Sequence, residues 1–188
     1  MAEASGTVVV VGRNIPSGPS LAIRLLGLYD HAKQEYVFSS ADPSLYYGQS
    51  GCMLVRLDAF GELGHFDRRP RGADVIFVQR VLQRYGTRAV RYQPSAVVDH
   101  LEVNSAPVYF RKAFIYGRSA RDYCRIVPAR PLRSRERFSI FCKVVRGNAL
   151  SPLHSAYLLL LLAVGGVAYG LGSHRDAPPW SRRIRDAR

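Results

Sequence analysis

From Leu153 to Gly172 the chain contains no Asp, Glu, Lys or Arg. A helix over that stretch, rising ~1.5 Å per residue, matches the ~30 Å hydrocarbon core of a bilayer. The competing reading is a helix buried inside a protein, but core helices seldom continue past ~18 apolar residues. The stretch is therefore expected to form a transmembrane helix over 151–173, crossing the cell membrane once, with a basic tail over 174–188. His154 and Ser155 sit where that helix would enter. Gly165 and Gly166 either admit a second helix at close range or mark a bend. Charge does not orient the segment, because Arg133, Arg135, Arg137, Lys143 and Arg146 on one side face Arg175, Arg182, Arg183, Arg185 and Arg188 on the other.

Ahead of the apolar run lies a basic segment, 124–150. In it Phe138, Ile140, Phe141, Val144 and Val145 alternate with Arg135, Arg137, Lys143 and Arg146. This pattern fits a short interfacial helix whose cations meet lipid phosphates, or a solvated linker. The formal net charge of +13 directs the chain toward anionic partners: phospholipid head groups, nucleotide diphosphates or nucleic acid. A basic nucleic-acid-binding module rests on charge alone, since no nucleic-acid motif is present. Cys52, Cys124 and Cys142 are odd in number and widely spaced, which suggests neither a disulfide framework nor a zinc site and fits a reducing compartment. The opening residues lack the basic region of a secretory signal.

The part from residue 1 to 123 alternates helical and strand patterns, the signature of an α/β domain. Val8 to Val11 read as a strand, and Leu21, Leu25, Leu28 and Ala32 recur at helical spacing after the Pro16–Pro19 turn. A strand Cys52–Arg56 follows the Gly48–Gly51 turn; Asp58 is placed to cap a short helix that Gly64 ends. Val75, Val78, Leu82 and Tyr85 mark the next helix, stopped by Gly86. Ala89–Tyr92 and Ala96–His100 read as two short strands around Pro94. A further amphipathic helix starts at Pro107 and runs to about Tyr123, with Phe110 and Phe114 on its apolar side.

Within this order, Gly64-His-Phe-Asp67 is followed by Gly72-Ala-Asp74 at the start of the long helix, and then by Gln79 and Arg80. This succession resembles the acceptor-side, C-terminal half of the GT-A domain of glycosyltransferase family 2, in which a "GxFD" segment precedes a "GED" helix start. The resemblance spans about Tyr46 to Tyr123. It implies a partial GT-A-like fold followed by the membrane helix, with the catalytic part on the cytoplasmic side. It implies Asp74 as the base that takes the acceptor proton, and a carboxylate in the first turn of a helix is expected to be held as an anion. Gly51, Asp67, Gln79 and Arg80 would contact substrate. His100, at a strand end, would face a Mg²⁺ or Mn²⁺ ion and the donor diphosphate. For several of these positions the ordinary alternative is a helix cap, a solvated helix face or a structural strand-end histidine. Ala73 stands where many members carry Glu.

The family's metal-binding Asp-x-Asp does not occur in the sequence, nor does a Walker loop, a Gly-x-Gly-x-x-Gly fingerprint, His-Glu-x-x-His or Gly-x-Ser-x-Gly. The expectation is thus a fragment of a membrane-associated transferase acting on a nucleotide-diphospho-sugar and a sugar or lipid-linked acceptor. The N-terminal half is expected either to be lost, as in a truncated gene product, or to be carried by a separate chain of a split enzyme. The alternative is a catalytically silent, membrane-anchored remnant or partner subunit.

Overall fold

A computed structural model describes residues 6–174; the arginines from Arg175 onward lie outside the described residues. The chain is mixed α/β around a three-stranded sheet. The central strand β1 (Val9–Pro16) is flanked by β2 (Met53–Val55), antiparallel, and β3 (Val90–His100), parallel. Enclosure between two strands explains the valine run, with Val9 and Val11 fully buried. A parallel pair needs a long crossover. The helices between β1 and β3 supply it: α1 (Leu21–Ser39), the short α2 (Ala59–Leu63) and α3 (Ala73–Tyr85).

Several boundaries follow from local chemistry. The Ser20 hydroxyl accepts from the Ile23 N–H at the start of α1, which buries Leu25, Leu26, Tyr29 and Ala32 while Leu21 turns outward. Gly64 at φ 76° and Gly86 at φ 79° end α2 and α3 in conformations that a side chain resists. Asp58 does not cap α2: its carboxylate instead accepts from Arg56 Nε at 2.6 Å, an exposed pair. The segment around Pro94 belongs to one strand, not two. Val11 pairs with Tyr92 but Arg13 with Val97, so the extra residues bulge out and pairing then resumes. The bulge closes over Gly12, where a Cβ would stand 2.6 Å from the Ala96 carbonyl oxygen.

Three helices complete the body: α4 (Ala106–Tyr123), α5 (Ser134–Gly147) and α6 (Pro152–His174). Within the basic segment α5 is a helix packed on the body and not a free linker: it buries Ile140 and Val144 against Leu25 and Tyr29 of α1 and Leu158 of α6. It ends in a Schellman turn: Leu150 N–H reaches the Val145 carbonyl, Ala149 N–H reaches that of Arg146, and Ala149 takes φ 46°.

α6 is long and apolar enough to cross a bilayer. It packs beside α4 in the same direction, Phe110 meeting Gly165, and Phe114 and Gly117 meeting Gly172 and Tyr169 further on. A Cβ on Gly117 would lie 2.0 Å from the Tyr169 carbonyl oxygen, and one on Gly172 the same distance from that of Phe114. The close approach therefore falls on these two glycines. Gly165 would make only an ordinary contact with Phe110, at 3.8 Å, and Gly166 has open space.

Candidate functional site

A cavity of about 760 Å³ opens where the two parallel strands end, reached by Asn14 and Pro16 of β1 and by Val98, Asp99 and His100 of β3. Ligands of α/β sheets bind at the carboxyl ends of parallel strands, where successive loops diverge. The start of α3 forms a second wall, and Leu161, Leu162, Gly165 and Tyr169 of α6 a third. The buried Asn14 Oδ1 has no hydrogen-bond partner among the described residues, which leaves an acceptor available in the wall.

Asp74 lies in the first turn of α3, after Gly72 at φ 83°. Its Oδ1 accepts from the Val75 N–H at 2.9 Å and its Oδ2 from the Ser50 N–H at 3.3 Å. The 48–51 loop comes this close because Gly48 lacks a side chain: a Cβ there would stand 2.8 Å from the Asp74 Cβ. Gly51 faces Asn14 in the same way: a Cβ there would stand 3.1 Å from the Asn14 Nδ2. The N–H groups at the helix start and of Ser50 favour the Asp74 anion, and burial opposes them. Burial raises its carboxyl above the ordinary value, outweighing the two N–H donors and the charge of Arg71.

His100 also lines the cavity, but in other company. Its Nε2 is 3.0 Å from Lys112 Nζ, which in turn donates to Glu102 at 2.7 Å. Burial first and the Lys112 charge second lower its pKa, which favours the neutral ring. Among the described residues no three His, Cys, Asp or Glu side chains converge. A dication at His100 would meet a fixed ammonium in place of an oxygen-rich shell. The expected Mg²⁺ or Mn²⁺ does not fit these residues, and His100 serves as a partner of Lys112.

Gln79, Arg80 and Asp67 hold the scaffold instead of lining the cavity. Gln79 is buried, and its Nε2 donates to the carbonyls of Pro43 at 3.0 Å and Tyr46 at 2.9 Å. Arg80 and Asp67 pair with each other at 2.9 Å, and Arg69 joins the same carboxylate at 3.2 Å, bracing the loop before α3. Gln79→Ala is expected to strand two inward-facing carbonyls and cost about 2–3 kcal/mol, read as a lower urea midpoint. A midpoint unchanged from the parent would reject this structural role.

The structure adds Asp30, Lys33, Tyr47 and Tyr109, which the sequence did not single out. On α1, Lys33 Nζ donates to Asp30, whose carboxylate also accepts from Tyr109 Oη at 3.1 Å. Burial alone would lower Lys33, but the Asp30 carboxylate prevails and the ammonium sits well above its ordinary value. Tyr47, Tyr116 and Tyr123 complete a wall rich in phenols. The available signal was an Asp/Lys pair three apart on a face otherwise made of Leu, Tyr and Ala.

No known protein family, curated protein or solved structure matches this chain.

Proposed function

We propose that the chain is the acceptor-side part of a GT-A-type glycosyltransferase, moving a sugar from a nucleotide-diphospho-sugar to an acceptor hydroxyl at the cell membrane. The supporting observation is Asp74: a carboxyl with raised affinity for protons, on the wall of a cavity at the carboxyl ends of parallel strands. The Asp74 carboxylate takes the acceptor proton as the acceptor oxygen bonds to the anomeric carbon. The bond from that carbon to the diphosphate oxygen breaks, and the leaving group departs with the electron pair. A base whose pKa is raised toward working pH matches proton removal from an alcohol better than an ordinary carboxylate does. Arg69, Arg71 and Lys112 on the cavity wall supply positive charge for the departing diphosphate. The donor's nucleoside would be held by a segment or chain beyond this one, and no step here passes through a metal. By length and composition α6 is sufficient for a single membrane crossing.

One observation favours a silent, membrane-bound remnant: the described residues offer no dication donor set. The deciding experiment incubates membranes containing the full chain with a panel of labelled nucleotide sugars. Label entering lipid or polysaccharide above the level of membranes lacking the chain supports transfer. Absence of transfer from every donor, with the chain present and folded, rejects it in favour of the remnant.

A further inference from the structure

We infer that α6 does not cross the bilayer but lies along its surface, seating the whole domain on anionic lipid. The inference holds whether or not the chain transfers sugar. Leu158 is fully buried among Leu25, Tyr29, Ile140 and Val144, Leu161 packs with Ala22 and Leu26, and Gly172 touches the α4 backbone. These contacts run over about 20 Å of helix axis at ~1.5 Å per residue. A helix clamped along that length cannot enter the hydrocarbon end-on without taking α1 and α4 with it. α4 carries Arg111, Lys112, Arg118 and Arg121, each costing about 2.5–3.5 kcal/mol or more at the bilayer centre.

The opposite side of α6 is open. Leu153, Tyr157, Leu160, Val164, Val167 and Leu171 are spaced four and three apart, so they form one straight stripe, and they are 37–78% exposed. A helix lying in the interface with such a stripe inserts it ~5–10 Å, to the boundary between head groups and acyl chains. Charge selects the occupant. The helices that hold α6 expose Arg111, Arg135 and Arg146, and the chain carries a net +13. An anionic lipid surface complements that charge, whereas a second copy would bring two strongly cationic bodies together.

The test uses the full chain with Cys52, Cys124 and Cys142 replaced by Ser and single spin labels at positions 157, 160, 164, 167 and 171, bound to vesicles of phosphatidylcholine and phosphatidylglycerol. Seating in the surface gives one shallow depth at all five positions. A depth that rises to the bilayer centre and falls again would overturn the inference in favour of spanning. Spin–spin coupling with dimer formation would overturn it in favour of a second copy. No vesicle binding would reject a membrane role altogether. Leu160→Glu with Val167→Glu changes only the exposed stripe, so helicity is retained and vesicle affinity falls at least about tenfold. Unchanged affinity in that variant rejects the stripe as the seat.

Discussion

Asp74→Asn is expected to lower sugar transfer by about 10²–10⁴-fold, the range associated with removing a positioned general base, without unfolding the protein. Burial raises the Asp74 carboxyl above its unfolded value, so the native state holds that proton more tightly than the unfolded chain does. Stability is then highest below the unfolded value near ~3.9 and declines as pH rises through the folded one. At pH 7 the ionised group is a net cost, and the amide variant should be at least as stable as the parent. Urea titrations of both proteins from pH 4 to 7 check this, and a less stable Asn variant at pH 7 would mean that Asp74 serves mainly to tie down the 48–51 loop. In the parent, transfer should rise with pH through a midpoint above the ordinary carboxylate range.

The largest structural effect is expected at Gly117. In Gly117→Leu even the Cβ stands 2.0 Å from a backbone carbonyl of α6, which cannot rotate away as a side-chain tip could. The helices must separate, and the loss should reach about 3 kcal/mol or more, at the upper end of measured overpacking costs. Amide exchange would speed up in α4 and the second half of α6 before the sheet. Gly166→Ala is the control on the same helix: nothing lies within 4 Å of the added methyl. It should gain about 0.5–1 kcal/mol from helix propensity alone. Equal effects of the two substitutions on the urea midpoint would refute the packing described between α4 and α6.

Features written in neighbouring residues could be read from the sequence. The glycine stops after α2 and α3, the proline start of α4 and the extent of α6 all follow from the backbone preferences of one or two residues. Of the candidate site, Asp74, Gly51 and His100 do share one cavity wall system. What escaped reading depends on partners far apart in the chain. Gln79 seemed to lie on a helix face, but the first turns of α3 are enclosed on nearly every side, so its amide was needed by Pro43 and Tyr46. Asp67 and Arg80 are 13 residues apart, and only the fold reveals that each is the other's partner. Tyr109 meets Asp30 across 79 residues, a juxtaposition with no local periodicity to announce it. In α5 the charges are conspicuous in the sequence, whereas its packing on α1 and α6 rests on Ile140 and Val144, whose partners lie far away in the chain.

Because α6 presents Leu161, Gly165 and Tyr169 to the cavity and Leu160, Val164 and Val167 to the outside, the two surfaces are opposite sides of a single rod. A ligand that shifts or stiffens that rod changes the free energy of partition into lipid, and thermodynamic linkage makes the effect reciprocal. By whatever factor vesicles alter the affinity for a cavity ligand, the ligand alters the affinity for vesicles.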